Sequence, residues 1–108
     1  MNLQLAEPIK KYFDISNTAD AAELKHCFNT DAVVLDEGGT YQGHAAIAAW
    51  FSDTRQKYAF SAKPLSATTH EKHEIVTAEV SGNFPGSPIK LSYTFLLQDG
   101  KIQSLQIA

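Results

Sequence analysis

The stretch that decides the fold is CFNTDAVVLDEGGTYQGHAAIAAWF, residues 27–51. Its run from Ala32 to Asp36 contains β-branched residues and predicts a strand. The strand ends at Glu37-Gly38-Gly39, because glycines permit turn conformations that other residues avoid. Apolar residues then recur at helical spacing and predict a helix from His44 to Tyr58. The apolar stripe of this helix consists of Ile47, Trp50, Phe51, Thr54 and Tyr58.

Two further helices are predicted before this stretch. Apolar residues recur at helical spacing from Leu3 to about Asn17, which predicts a helix; Pro8 is tolerated near its first turn. The stripe of this first helix is Leu5, Ile9, Tyr12, Phe13 and Ser16. A shorter second helix is predicted to begin at Thr18 as N-cap, with Asp20 in its first turn. Its apolar positions are Ala21, Leu24, Cys27 and Phe28.

From Phe60 onward the apolar residues alternate with polar ones, which is the period of half-buried strands. The first alternating set is Val76, Ala78, Val80 and Phe84, and the second is Ile89, Leu91, Tyr93, Phe95 and Leu97. The segment 85–88 joins these two strands. Asp99-Gly100 is a strong signal for a tight hairpin, followed by a last strand over residues 101–108.

Helices in the first half and strands in the second predict an α+β chain with an antiparallel sheet. With 108 residues the chain has apolar surface for one core, so residues 1–108 are expected to form a single domain. The net charge of −3 disfavours binding to nucleic acid. The sequence has neither a secretory signal pattern nor a long apolar run, so a cytoplasmic protein is expected. The single cysteine, Cys27, favours a buried structural thiol over a nucleophile.

The element order and the quoted stretch resemble the SnoaL-like, nuclear transport factor 2-like proteins. That stretch is similar to the family's Ala-Val strand ending in Asp and its Gly-led helix. The closing YTFLLQDGKIQSLQI, residues 93–107, is similar to its final hairpin. The resemblance implies three N-terminal helices on a strongly curved antiparallel sheet, forming a cystatin-like cone with a central pocket. It also implies an isomerase or a polyketide cyclase-like enzyme without metal or organic cofactor, although such motifs identify architecture better than reaction.

Within this family the first half of the chain resembles the ketosteroid isomerases without a gap. Tyr12 then matches their oxyanion-binding tyrosine, and Asp36 matches their proton-transferring aspartate. The third position departs from the family, because Ser92 or Tyr93 stands where the isomerases have a protonated carboxylic acid. This difference argues against steroid isomerisation itself.

Side-chain chemistry supports three candidate catalytic residues. Asp36 shares a strand face with Val34, so it is expected at the rim of the pocket. Desolvation there would raise the pKa of its carboxyl group and make it a better general base. The alternative is that Asp36 caps the adjacent turn. Tyr12 and Tyr93 are candidates to hydrogen-bond an oxyanion, with simple core packing as the alternative. The residues expected to line the pocket are Val34, Trp50, Phe51, Phe84 and Phe95, although each could equally be core.

Two histidines, His70 and His73, lie in a predicted loop and are interpreted as solvated rather than as metal ligands. Epoxide opening is disfavoured, since Arg55 is the only arginine. A small apolar carbonyl compound is therefore the expected partner, and the alternative is a non-catalytic ligand-binding or dimerisation module. A homodimer through the uncharged outer sheet face is also expected. The residues expected on that face are Ser81, Asn83, Ser92 and Thr94.

Overall fold

The computed structural model describes residues 5–18, 21–57 and 60–108. These residues form an α+β fold with two α-helices, one 3-10 helix and six strands. The helices are α1 (Glu7–Thr18), the 3-10 helix (Ala21–His26) and α2 (His44–Lys57). The strands are β1 (Phe28–Asp36), β2 (Gly39–Gln42), β3 (Phe60–His70), β4 (His73–Gly82), β5 (Ile89–Gln98) and β6 (Lys101–Ile107).

The six strands make one sheet in the order β2-β1-β6-β5-β4-β3. Neighbouring strands are antiparallel except β1 and β6, which are parallel. The expected antiparallel sheet is therefore corrected at this one pair, whose members are separated by most of the chain. Register shifts interrupt the ladders, for example between Pro64 and Ser66 of β3. Such bulges bend strands and increase their twist, consistent with a curved sheet.

Two tight turns match their sequence signals closely. Asp99 and Gly100 have φ angles of 54° and 78° between the paired residues Gln98 and Lys101. Positive φ at both central residues is the two-residue hairpin geometry that Asp-Gly favours. Glu37 and Gly38 repeat it, with φ of 51° and 79°. The chain consequently reverses after β1 and forms the short β2, where only a loop had been predicted.

The first two predicted helices require correction. Thr18 is the last residue of α1 rather than an N-cap, and its hydroxyl donates to the Ile15 carbonyl at 3.1 Å. The second helix is a single 3-10 segment that ends at His26, and Phe28 already belongs to β1. Pairing with β6 explains this, because the Ile102 N–H donates to the Cys27 carbonyl at 2.8 Å. The predictions for Leu3, Asp20 and Tyr58, and for the side chain of Arg55, lie outside what the structure describes.

The core lies between the sheet and the helices and is rich in aromatic rings. Phe13 and Phe95 each contact Tyr12 and Tyr93, with ring centroids between 5.1 and 6.4 Å apart. Asn17 ties the end of α1 to the edge strand β3, since its side chain donates to the Ala62 carbonyl at 3.0 Å and accepts from the Ala62 N–H at 2.9 Å. These contacts hold the middle of α1 over the sheet. Within the described ranges, no helix has the length and apolar character needed to cross a membrane.

Cys27 is fully buried in the turn between the 3-10 helix and β1. Its thiol donates to the Leu24 carbonyl at 3.5 Å. Burial raises the pKa of Cys27 from 9.0 to about 12, mainly because the thiolate would be desolvated. The expectation of a buried thiol is confirmed, although Cys27 lies in a turn rather than on a helix.

This raised pKa predicts a loss of stability in alkali. The unfolded thiol ionises near its ordinary pKa of 9.0, whereas the folded thiol stays protonated up to about pH 12. The thiol's contribution is thus complete below pH 9 and should decline as the pH rises through this window. Between about pH 8 and about pH 10.5, the free energy of unfolding measured with urea should fall more for the wild type than for Cys27→Ala, which lacks the titrating group. Equal drops in the two proteins would contradict the prediction.

Candidate functional site

A cavity of about 420 Å³ opens between α1, α2 and the sheet. Its wall combines aromatic and aliphatic side chains with a few polar ones. Tyr12, Asp36, Glu37, Trp50, Thr54, Lys57 and Tyr93 line it, together with the apolar Phe60, Val80, Phe84, Pro85, Ile89, Leu91 and Ile107. We call this space the central cavity.

The three candidate catalytic residues all line the central cavity. Asp36 arrives from the end of β1, Tyr12 from the middle of α1 and Tyr93 from β5. The two tyrosine rings lie 6.4 Å apart and are only 1% and 4% exposed, so they are core residues as well as cavity residues. The packing and ligand-facing interpretations of these tyrosines are thus compatible. Their catalytic roles stay predictions.

The carboxylate of Asp36 is held by a hydrogen bond from α2. The indole Nε1–H of Trp50 donates to Asp36 Oδ2 at 3.0 Å. Asp36 is half-buried, whereas Trp50 is 4% exposed. Asp36, the candidate cap of the Glu37-Gly38 turn, therefore has a hydrogen-bond partner on α2.

The predicted aromatic wall is only partly found in the structure. Trp50 and Phe84 line the cavity, although Phe84 lies in the loop after β4 rather than on a strand. Val34, Phe51 and Phe95 are instead packed in the core, each at most 1% exposed. Phe95 shares a face of β5 with Tyr93, but it is covered by Tyr12 and Phe13 of α1. Sharing a strand face with a cavity residue therefore does not suffice to line the cavity.

Several cavity residues were missed by the sequence reasoning. On α2, Thr54 and Lys57 follow Trp50 at helical spacing; Thr54 was placed on the apolar stripe, and including the polar position three residues later would have found Lys57. Glu37 is exposed, yet it also lines the cavity. Strand alternation does not apply to Glu37, which lies in the turn. Strand alternation in β4 and β5 does account for Val80 and Leu91.

The histidines His70 and His73 form a cross-strand pair at the tip of the β3–β4 hairpin, away from the central cavity. Among residues 5–18, 21–57 and 60–108, no group of three or more His, Cys, Asp or Glu side chains is placed to hold a metal ion.

The fold and cavity define a class: an α+β protein whose helices and curved sheet surround a cavity with a carboxylate in its wall. More specifically, the chain belongs to the SnoaL-like family. The model of the SnoaL-like domain matches residues 9–105.

Solved structures extend this similarity. A candidate polyketide cyclase from Sinorhizobium meliloti is 39% identical, with a TM-score of 0.92 over 96% of this chain and 95% of that one. A protein with a ketosteroid isomerase-like fold from Catenulispora acidiphila, in complex with trimethylamine, is 18% identical, with a TM-score of 0.84 over 97% and 86%. A cystatin-fold protein from Novosphingobium aromaticivorans is 13% identical, with a TM-score of 0.78 over 99% of each chain. The last two support the fold alone. No curated protein matches significantly.

Proposed function

We propose that this protein is a cofactor-independent enzyme that moves a proton next to a carbonyl group of a small apolar substrate. The observation that carries the proposal is the presence of Asp36, Tyr12 and Tyr93 in the wall of one largely apolar cavity. The reaction would be an isomerisation or an aldol-type cyclisation. The similarity to the candidate polyketide cyclase of S. meliloti supports the second.

Each residue has a role that its chemistry allows. Asp36 removes a proton from the carbon beside the carbonyl and can return it to another atom. The hydroxyls of Tyr12 and Tyr93 hydrogen-bond the oxygen on which negative charge develops. One such donor contributes about 3 kcal/mol in a dry site, so Tyr93 beside Tyr12 can take the place of the carboxylic acid that the isomerases use.

The cavity wall indicates the kind of substrate. Aromatic and aliphatic side chains predominate, and about 420 Å³ accommodates a small compound with one or a few rings. Lys57 lies about 10 Å from Trp50 along α2, judged from the helical rise over seven residues. It is a cation in the cavity wall, so an acidic substituent of a substrate would favour a position near Lys57.

A non-catalytic ligand-binding module is the second candidate. It is favoured by the lack of a second acid at the oxyanion position. Ser92, one of the two residues matched to the isomerases' carboxylic acid, is exposed and absent from the described cavity wall. The only carboxyl groups in that wall are Asp36 and Glu37. A protein that binds without reacting would need no further acid.

The test is exchange of carbonyl-adjacent protons for solvent deuterium, followed by proton NMR with bicyclic enolisable ketones such as tetralones. We expect exchange above the buffer rate. Binding is measured in parallel by fluorescence of Trp50, the only tryptophan. Binding without exchange would favour the ligand-binding module. If the protein shows no binding and no exchange with any ketone of the panel, both candidates are contradicted.

We also propose a cytoplasmic homodimer formed through the outer sheet face, without nucleic-acid partners. Ser81 and Ser92 are exposed on strands β4 and β5, and small uncharged side chains tolerate contact with their own copies. Asn83, assigned to the same face from sequence, lies in the loop after β4. Light scattering at micromolar concentration should give twice the chain mass, and a monomeric mass would count against the dimer.

A further inference from the structure

We infer that Trp50 is a positioning residue for Asp36: its indole N–H fixes the carboxylate in the cavity wall and favours the ionised form. The inference rests on the proposed function in one respect, the use of Asp36 as a base. The hydrogen bond itself, Trp50 Nε1 to Asp36 Oδ2 at 3.0 Å, is a feature of the fold.

The chemistry of the two groups gives this contact a direction. An indole N–H can only donate, and an ionised carboxylate can only accept. The bond is charge-assisted when Asp36 is ionised, so it stabilises the anion over the neutral acid. The low exposure of Trp50 shields the indole side of the contact from water, which strengthens the electrostatic part of the interaction.

The indole is itself held on two sides. The Tyr41 ring lies 6.1 Å away at an angle of 32°, and the Phe51 ring contacts it edge-on at 6.4 Å. Tyr41 also lies against Gly39, where a Cβ atom would come within 2.6 Å of the Tyr41 hydroxyl. A side chain at position 39 would thus displace the ring that supports Trp50.

One hairpin carries both the base and this support. Asp36 pairs with Gly39 across the turn, and Val34 pairs with Tyr41 two residues further. Any movement of β2 relative to α2 would therefore alter the Trp50–Asp36 contact. This arrangement explains why a large indole, rather than a smaller apolar side chain, is useful at this point of the wall.

The direct test follows the titration of the Asp36 carboxyl carbon by carbon-13 NMR in the wild type and in Trp50→Phe. Phe retains an aromatic ring but lacks the N–H donor. We expect the midpoint to move upward by about one pH unit, since a hydrogen bond to a charged group favours the charged form by that order. The matched control is Phe28→Leu, a buried ring without a donor at the opposite end of β1 from Asp36, which should leave the midpoint in place. An unmoved midpoint in Trp50→Phe would overturn the inference.

A second measurement needs no change at Trp50. The chain has one tryptophan, so its indole N–H gives one side-chain proton resonance. This resonance should move with pH at the Asp36 midpoint in the wild type and become independent of pH there in Asp36→Asn. A resonance that ignores the titration of Asp36 in the wild type would also overturn the inference.

The catalytic arm separates this inference from the proposed function. If exchange is observed, Trp50→Phe should lower kcat about tenfold and move the acid limb of the pH profile upward, because the base is less ionised and less well oriented. If the titration moves but no exchange occurs with the wild type, the positioning contact stands and the proposed function fails.

Discussion

Asp36→Asn should lower the rate of carbonyl-adjacent proton exchange by about 10²–10⁴-fold, the usual contribution of a positioned general base. Asparagine has nearly the same shape and keeps an oxygen that can accept from the Trp50 N–H, but it cannot take up a proton near neutral pH. Ligand affinity, followed by Trp50 fluorescence, should change far less than the rate. The loss is therefore expected in kcat.

The control for this experiment is Asp53→Asn, the same chemical change at an exposed position of α2 outside the described cavity wall. It should retain the wild-type rate. Equal exchange rates for wild type and Asp36→Asn would remove Asp36 as the base. The ligand-binding module would then be the better interpretation of the cavity.

Phe95→Ala should reduce the free energy of unfolding by about 3–5 kcal/mol, as expected when a fully buried ring is removed. Phe95 has no exposed surface, and its ring contacts Tyr12, Phe13 and Tyr93. These neighbours are anchored by α1 and β5, so they cannot collapse fully into the space left behind. Urea unfolding followed by circular dichroism measures the loss.

Phe84→Ala provides the opposite pattern, because Phe84 lies in a loop and is partly exposed at the cavity. It should weaken ligand binding while costing much less stability than Phe95→Ala. A stability loss below about 1 kcal/mol for Phe95→Ala would contradict its placement in the core.

Much of the site was accessible from the sequence because the signals are local. The alternation in β5 put Tyr93 on the apolar face, and the helical stripe did the same for Tyr12. The Glu37-Gly38 turn marks the end of β1 and hence the position of Asp36 at a strand end. Resemblance to the ketosteroid isomerases added the suggestion that Tyr12 and Asp36 act together, and both line the central cavity.

The division between wall and core could not be predicted in the same way. Leu91 and Phe95 lie on the same face of β5, yet Leu91 lines the cavity and Phe95 is fully buried. Periodicity reports which face of a strand a residue occupies. It does not report which part of that face a helix covers.

Local periodicity and turn chemistry in the sequence thus determined the α+β class, most strands, the long helices and the Asp99-Gly100 hairpin. The tertiary structure alone decided the parallel pairing of β1 with β6, the early end of the second helix and the bond between Trp50 and Asp36. The physical reason is that hydrogen-bonding and apolar periods act over a few neighbouring residues. Strand direction, cavity shape and contacts between elements depend instead on how the whole chain closes around its core.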